Sequence, residues 1–485
     1  MKNVSIRNIL WLPLLIMIMC GCNKSFLDLA PLSNSNVNNF FKTKADFELA
    51  VTNAYSTLYA IYAPKGSMSF TGELMSDNTT VSTLAISGSF TIVDQQAFST
   101  YSIVSTNTGA YNFWVDHYTS LYQVNIILQK IGEVDLSDNS YENRVEGEMK
   151  FLRALYYFNL VRLYGNVPLI TVPVEGQDAY NIGRTPAAEV YNQVVADLQF
   201  AAANLPEPGN EPAKGRATKG AAKALLGKVY LTMGNKPAAA TILQEVYSAY
   251  NGTKYDLLPD FQSLWGNTNA FKNTKESIFE IQYTGGVGNP YSTFWTAFQP
   301  FENGAFLGQA GGMNMVTDDL YNEYEPGDVR RDISFYTGYT RGGTFIPSKF
   351  NKKWVDLTAP LDGGQQASNN NFIILRYADL LLMLTEATDD PQYMNKVRAR
   401  AGLPLYGTAG YPSAAYPTLA LALEHERRME LALEFHRWFD LKRTGRAVAV
   451  LNAKGKNVNE NKLLLPVPQY ALDQNPKLQP QNAGY

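Results

Sequence analysis

The spacing of small and large residues over positions 218–250 constrains this chain more than any other feature. Leu226 and Gly227 stand side by side, Tyr230 follows, then Gly234, then Ala239 and Leu243. Residues at these intervals fall on one face of a helix, break at Gly234 and resume on a second helix. Gly227 and Ala239 leave room for two antiparallel helices to approach closely. Tyr230 fills the space towards a neighbouring unit, and Gly234 turns the chain. One helical pair buries too little apolar surface to stand alone, since about three or more stacked units are needed. Helices elsewhere must therefore supply the other units in degenerate form.

The spacing is that of a tetratricopeptide unit, with a plain helical hairpin as the alternative. Further helical periodicity runs over 44–62, where Ala50, Ala54, Leu58 and Ile61 recur behind Thr43 as N-cap. It returns over 111–131 and over 142–164, where Gly165 and Pro168 end it. Another helix is expected over 186–205, with Thr185 as N-cap and Pro186 in the first position. Helices resume over 377–388, 393–401 and 419–443. Two stretches break the pattern. Residues 63–109 are rich in Ser, Thr and Gly and too long for a simple connection. Residues 255–372 are dominated by Gly, Asn, Thr and aromatics, with one strand-like run, SIFEIQY, over 277–283. The tail, 463–485, reads as proline-rich and extended.

The N-terminus carries a basic start (Lys2, Arg7), an apolar run over 9–19 and then Met19-Cys20-Gly21-Cys22. The run is too short to span a bilayer and is flanked like an export signal. Its end resembles a bacterial lipobox, which implies removal of residues 1–21 and lipidation of Cys22, with 22–42 as a tether. An ordinary thiol after secretory cleavage and an uncleaved anchor are the alternatives. Cys20 and Cys22 are the only cysteines, so neither has a partner further along and no cysteine zinc site is possible. The large core that 45% apolar content allows must then form without disulfides. Of 41 basic residues, removing Lys2 and Arg7 leaves 39 against 44 acidic, a formal net charge of −5 that disfavours nucleic acid.

The C-terminal third carries longer signatures: RYADLLLMLTEA (376–387), NKVRARAGLP (395–404), ERRMELALEFHRWFDLKRTG (426–445) and LLPVPQYALDQNPKLQPQNAGY (464–485). Together with CNKSFLDLAP (22–31), ELMSDN (73–78), FLRALYYFNLVRLYGNVPLI (151–170) and YDLLPDF (255–261), these resemble the SusD/RagB family of surface lipoproteins. The resemblance covers nearly the whole mature chain. Only residues 388–394 link the Tyr-Ala-Asp helix to the Asn-Lys-Val-Arg run, shorter than is usual in the family, so one repeat unit reads as trimmed.

The resemblance implies a mainly α, SusD-like fold: a tetratricopeptide-like helical-repeat scaffold with a long, irregular, loop-rich ligand-binding region. A single domain would cover 43–485, with repeats mainly over 43–62, 111–250 and 377–445 and binding regions near 63–109 and 255–372. It further implies a lipid anchor in the outer membrane, a body facing the exterior, and a partner of the SusC type, a TonB-dependent β-barrel transporter. Such a lipoprotein captures oligosaccharide, without catalysis or cofactor, and delivers it for import. A repeat-based lipoprotein binding a peptide or protein is the first rival, and a secreted glycoside hydrolase the second.

Arg427, Glu430, Glu434, Arg437, Asp440 and Arg443 set opposite charges three or four residues apart, as on one helix. Glu430 and Glu434 could be mistaken for a glycosidase pair. Bracketing arginines would hold both ionised, so a structural network is expected. His117 and His436 sit in aromatic-rich helical context and are expected to be buried rather than metal ligands or bases. No nucleophile elbow, zinc motif or calcium loop is present. A glycan site needs aromatic faces for the C–H patches of sugars and Asp, Asn, Gln or Arg for hydroxyls. Asp77, Asn78, Phe98 and Tyr101 in one loop segment, and Tyr291 and Trp295 in another, are the candidates. The two segments are expected to meet at the binding face.

Overall fold

The computed structural model describes residues 40–82, 90–174, 176–301 and 310–485. Cys22, the signal segment and the tether to residue 39 lie outside them. The chain divides into two units, one ending at Leu49 and one running from Ala50 to Tyr485. Helix α1 (Lys44–Ser56) opens on a reciprocal cap. The Thr43 hydroxyl accepts the Asp46 N–H, and the Asp46 carboxylate accepts the Thr43 N–H at 2.8 Å. Within the first unit, Phe41 packs between Phe40 and Phe47.

The expected 44–62 helix is interrupted. The Thr57 hydroxyl donates back to the Ala54 carbonyl and meets the Tyr156 hydroxyl at 2.6 Å, so α2 (Leu58–Tyr62) starts afresh. Such side-chain competition with the backbone is why Thr weakens helix interiors. Residues 63–109 are not one loop. They hold a helical turn that widens to π geometry over Phe70–Leu74 and an eleven-residue helix, α3 (Phe90–Thr100).

The scaffold of the second unit is a succession of helices, each packed on the next: α4 (Thr108–Glu133), α5 (Asn139–Tyr164), α6 (Ala187–Asn204), α7 (Lys219–Thr232), α8 (Lys236–Tyr250), α9 (Tyr377–Thr388) and α10 (Gln392–Arg400). The α7–α8 pair follows its sequence pattern. Leu226, Ala239 and Leu243 are buried, and Gly234 turns the chain at φ +76°. A β-carbon on Gly227 would lie 2.4 Å from Leu243 Cγ, so only glycine allows this approach. Tyr230 reaches α6, where Gln199 donates to its hydroxyl. Between α5 and α6 the Arg153 guanidinium grips Asp197 with two bonds of 2.8 Å.

Two helix assignments are corrected. Thr185 does not cap α6. Its backbone bridges Val167, and the Asn166 side chain accepts the Ala187 N–H instead. The single helix expected over 419–443 is two, α11 (Leu419–Glu430) and α12 (Arg437–Arg443), separated by a turn in which Leu433 and Phe435 have φ of 68° and 67°.

Among the described residues, the irregular layer holds four two-stranded antiparallel sheets beside short helices, where one strand-like run is expected from the sequence. They pair β1 (Thr79–Thr80) with β3 (Met315–Val316), β2 (Ser277–Ile281) with β8 (Phe372–Arg376), β4 (Phe335–Arg341) with β5 (Thr344–Asn351), and β6 (Leu361–Asp362) with β7 (Gln365–Gln366). The tail is only partly extended. It forms a short helix over Gln469–Gln474 and clamps the end of α5, where Asn482 donates to the Tyr164 carbonyl at 2.9 Å.

Gly227→Ala is expected to lower stability by roughly 1–3 kcal/mol, the usual cost of overpacking, despite alanine's better helix propensity. Urea denaturation checks this, and a variant as stable as wild type would mean that α7 and α8 are not held at this approach.

Candidate functional site

The two segments singled out in the sequence are joined through a third. Residues 311–316 hydrogen-bond to both of them. Ser82 N–H donates to the Gly312 carbonyl, β1 pairs with β3, and the Thr79 hydroxyl donates to Asn314. From the other side, Gly311, Gly312 and Met313 donate to the carbonyls of Thr296, Gln299 and Ala297. The short helix Phe294–Ala297 is thus the centre of the layer. The Gln366 N–H is accepted by the Thr296 hydroxyl, and Ser292 bridges Ser368.

The candidate residues differ in what they offer. Trp295 is 2% exposed and packs with Met315, Tyr339 and Phe350 beneath the β4–β5 hairpin, so it supports the face from behind. Phe98 lies on α3, wholly buried against Phe70 and Phe113. Tyr101 is buried too, its hydroxyl donating to the Met75 carbonyl. Both had been expected on a loop. Bulky apolar side chains find an apolar wall here, and burial of each is favourable by about 2–3 kcal/mol. Asp77 borders a cavity of about 360 Å³ beside Tyr416, but its carboxylate is already engaged. Arg437 grips it at 2.8 and 2.9 Å, and Arg428 lies 3.2 Å away. Asn78 links Arg428 to Glu73. Tyr291 alone of the six is half-exposed.

The solvent-facing aromatics are others. Phe301, 43% exposed, flanks Gly312 opposite Ser82, where a β-carbon would lie 2.9 Å from each side chain's own. Phe345, 57% exposed, rests against Gly338 on the neighbouring strand of its hairpin. Sequence reasoning missed Phe345, although Gly342-Gly343 between two alternating runs is a hairpin signal.

The charge ladder is not on one helix. Asp440 pairs with Arg427 and Arg443 inside the ladder, and the other bonds run outward to distant elements. Glu430 meets Arg330, Arg376 and Arg400, while Glu434 meets Arg376 and Lys353. Arg427 bridges Asp379 and Asp440, and Arg443 binds Glu386 and Asp440. Burial alone would raise the Glu430 carboxyl, but Arg400, Arg376 and Arg330 hold it well below the usual range. Burial likewise opposes ionisation of Glu434, and Arg376 with Lys353 overcomes it. Neither carboxyl can serve as a proton donor near neutrality. His117 and His436 are enclosed, and burial depresses them to about 4 and about 3. No group of metal-binding side chains occurs among the described residues.

Comparison with known proteins agrees with this architecture. A family model described as starch-binding associating with outer membrane matches residues 25–231, and the SusD family model matches residues 341–485. SusD-like protein P2 of Formosa agariphila is 29% identical over 97% of this chain and 98% of its own length. A SusD-like protein of Bacteroides ovatus is 23% identical over 88% of this chain and 80% of its own. A solved laminarin binding SusD-like protein is 30% identical, with 92% of this chain and 100% of that one aligned at a TM-score of 0.78.

This chain belongs to the SusD family. SusD-like proteins are carbohydrate-binding and non-catalytic, and lipoprotein anchoring, the outer membrane and TonB-linked transport are typical of them. The helical scaffold under an irregular layer is the SusD-like fold. No helix among the described residues is long and apolar enough to cross a membrane.

Glu73 sets a pH dependence beside this layer. Burial pushes its carboxyl up to about 7, against hydrogen bonds from Asn78 and the Phe435 N–H. A raised carboxyl stabilises the fold fully below its ordinary value of 4.5 and loses that contribution as pH rises through 7. For Asp77, Asp379, Asp440, Glu430 and Glu434, burial is outweighed by neighbouring Arg and Lys cations, and their contribution is lost as pH falls through the acid range. The depressed His117 and His436 act in the same direction as the carboxylates, their contribution being lost as pH falls below 6.5, so stability against urea is expected to decline on the acid side of neutrality, with Glu73 opposing that trend. Relative to wild type, Glu73→Gln should gain stability as pH rises from 5 to 8, by at most about 3 kcal/mol. A difference between the two that does not change with pH would mean that Glu73 does not titrate in this range.

Proposed function

We propose that this protein captures a neutral oligosaccharide outside the cell and delivers it, unaltered, to a SusC-type TonB-dependent transporter in the outer membrane. The observation that carries the reading is the match to the laminarin binding SusD-like protein over that protein's whole length. The geometry supports it. Phe301 and Phe345 expose aromatic surface and Tyr291 is partly exposed, while the buried Trp295 and the engaged Asp77 are read as supports rather than contacts. Asn78, Phe98 and Tyr101 belong to the same supporting set. A laminarin-type glucan is the first ligand to test. The anchor is proposed to be lipid on Cys22, which would hold the body near its transporter at high effective concentration.

Calorimetric titration with laminarihexaose tests the face. Phe301→Ala and Phe345→Ala should each weaken binding roughly tenfold through loss of a stacking surface, with the thermal midpoint unchanged because both rings face solvent. Trp295→Ala should instead lower the midpoint. Affinity unchanged in both surface variants would remove this face from the binding role.

The anchor has a separate test. Cys22→Ala should leave soluble binding intact and reduce uptake of the same oligosaccharide by whole cells. Uptake at the wild-type rate would mean that delivery does not depend on lipidation.

A further inference from the structure

The cavity of about 360 Å³ beside Tyr416 lies between the loop before α11, α11 itself and the helix Ala447–Ala453. Its size is that of small-molecule sites, about 300–1,000 Å³. Leu421, Val450 and Ala453 give it apolar wall, and Tyr416 borders it as a half-buried ring. His425 steadies that ring by stacking on it, with centroids 4.1 Å apart and planes 19° from parallel.

Arg428 is the group here with a donor to spare. It is 6% exposed and lines the cavity. Two of its nitrogens are engaged. Nε donates to Asn78 at 2.9 Å, and Nη2 donates to the Asp77 carbonyl at 3.3 Å and to Asp319 at 2.7 Å. Nη1 has no hydrogen-bond partner among the described residues, and, unlike Nη1 of Arg427, it is not sealed from solvent. The Glu323 Oε2 lies 4.0 Å from it, beyond hydrogen-bond reach. Glu323 borders the same cavity, its side chain is 27% exposed, and its carboxylate accepts no hydrogen bond among the described residues. A donor and an acceptor so placed are joined by one hydroxyl about 2.8 Å from each, accepting from Nη1 and donating to Oε2.

The charges around them are already balanced. Arg428 has Asp319 and Asp77, Arg437 has Asp77, Arg446 has Glu424, and Lys454 has Asp319. An added anion finds no uncompensated cation, and a cation brought to Glu323 meets Arg428. The wall lacks hydrogen-bond partners, not charge. A sugar ring supplies them, with hydroxyls for Arg428 and Glu323 and a C–H face for Tyr416.

We infer that this cavity is a second saccharide subsite, in which Arg428 Nη1 and Glu323 hold one hydroxyl and the sugar packs on Tyr416. Asp77 and Asn78 keep the guanidinium in place from behind. The inference rests on the reading that this protein handles neutral oligosaccharides, but not on the Phe301–Phe345 face. Asp77 borders this cavity and Ser82 flanks Gly312 opposite Phe301, so five residues, spanning no more than about 18 Å, connect the two sites.

Hydrogen exchange with saturating laminarihexaose, paired with calorimetry, tests the subsite. Slowed exchange is expected over 320–325, 414–418 and 450–455. Ala453→Trp, at an exposed position on the rim, should fill the cavity and remove that protection. Glu323→Ala should weaken binding at least fivefold with the thermal midpoint unchanged, because its carboxylate makes no hydrogen bond among the described residues. Protection that survives Ala453→Trp, or wild-type affinity in Glu323→Ala, would overturn the subsite. Protection confined to 294–301 and 335–351 would overturn it too and leave the functional reading standing. Protection over the cavity segments alone would uphold the subsite and overturn the Phe301–Phe345 assignment. Protection nowhere would overturn the subsite and the functional reading together.

Discussion

The Arg376 guanidinium ties together parts of the chain that are far apart in sequence. It sits at the end of β8, at the step into α9. From there it donates to Glu276 at 2.9 Å, to both oxygens of Glu434 at 2.7 and 3.0 Å, to the Glu430 carboxylate, and to the Glu430 carbonyl at 2.7 Å. Arg400 reaches the same Glu276 and Glu430, and Arg330 reaches Glu430 and Glu426. Every one of these groups is enclosed. Buried ion pairs add little net stability over a well-packed apolar core, because desolvation offsets the attraction. Removing one partner is a different matter. It strands a buried charge, typically at about 3–5 kcal/mol. The network therefore acts chiefly by excluding other arrangements of the strands, α10, α11 and the turn after it.

That turn shows what the network makes possible. Leu433 and Phe435 both have positive φ, a region that costs a non-glycine residue about 1–3 kcal/mol. The Glu430 carboxylate just before the turn and the Glu434 carboxylate within it are held by Arg376, and the Phe435 N–H is taken by Glu73. The Phe435 ring then stacks on Phe372 at 4.7 Å, and Phe294 and Trp354 extend the stack towards the irregular layer. Gly72 has to be glycine for this approach, since a β-carbon there would lie 2.2 Å from the Phe435 carbonyl oxygen. Ionic and aromatic contacts thus join at one strained turn, and through it the scaffold fixes the helix Phe294–Ala297 on which the candidate face is built.

Sequence periodicity exposed the parts of the fold that local rules control. Gly227, Gly234 and Leu243 announce the α7–α8 pair because each has a steric job within one hairpin. The 377–388 helix was legible to its last residue, since an apolar run followed by Asp389 in left-handed geometry is a local signal. The break between α11 and α12 was not. Residues 431–436 contain neither Gly nor Pro, and their charges keep helical spacing. Arginines and a lysine from Arg330, Lys353, Arg376 and Arg400 decide that turn, and no single-chain pattern links those positions to it. The same limit governed the candidate site. Aromatics in a Ser/Thr/Gly-rich stretch suggested loops, but Phe98 and Tyr101 lie on or beside a helix whose partner wall comes from Phe70, Met75 and Phe113. The link between the two segments runs through residues 311–316, which no sequence pattern marked, and which of their rings would face outward was not legible either.

Separating buried charge from exposed aromatics has a consequence for recognition. Arg437, Arg428 and the Glu430 carboxylate are each engaged by oppositely charged partners within the protein, so these charges are already spoken for. What the layer presents is ring surface on short sheets and turns, Phe301 against Gly312 and Phe345 against Gly338. Neither position carries a load in the ionic core. Loops of this kind can change side chains and alter ligand choice without disturbing the Arg376 network. This is the division of labour expected where binding residues sit on loops positioned by a rigid scaffold. A neutral ligand suits such a face, because an ionic one would have to compete for arginines whose release would strand buried carboxylates.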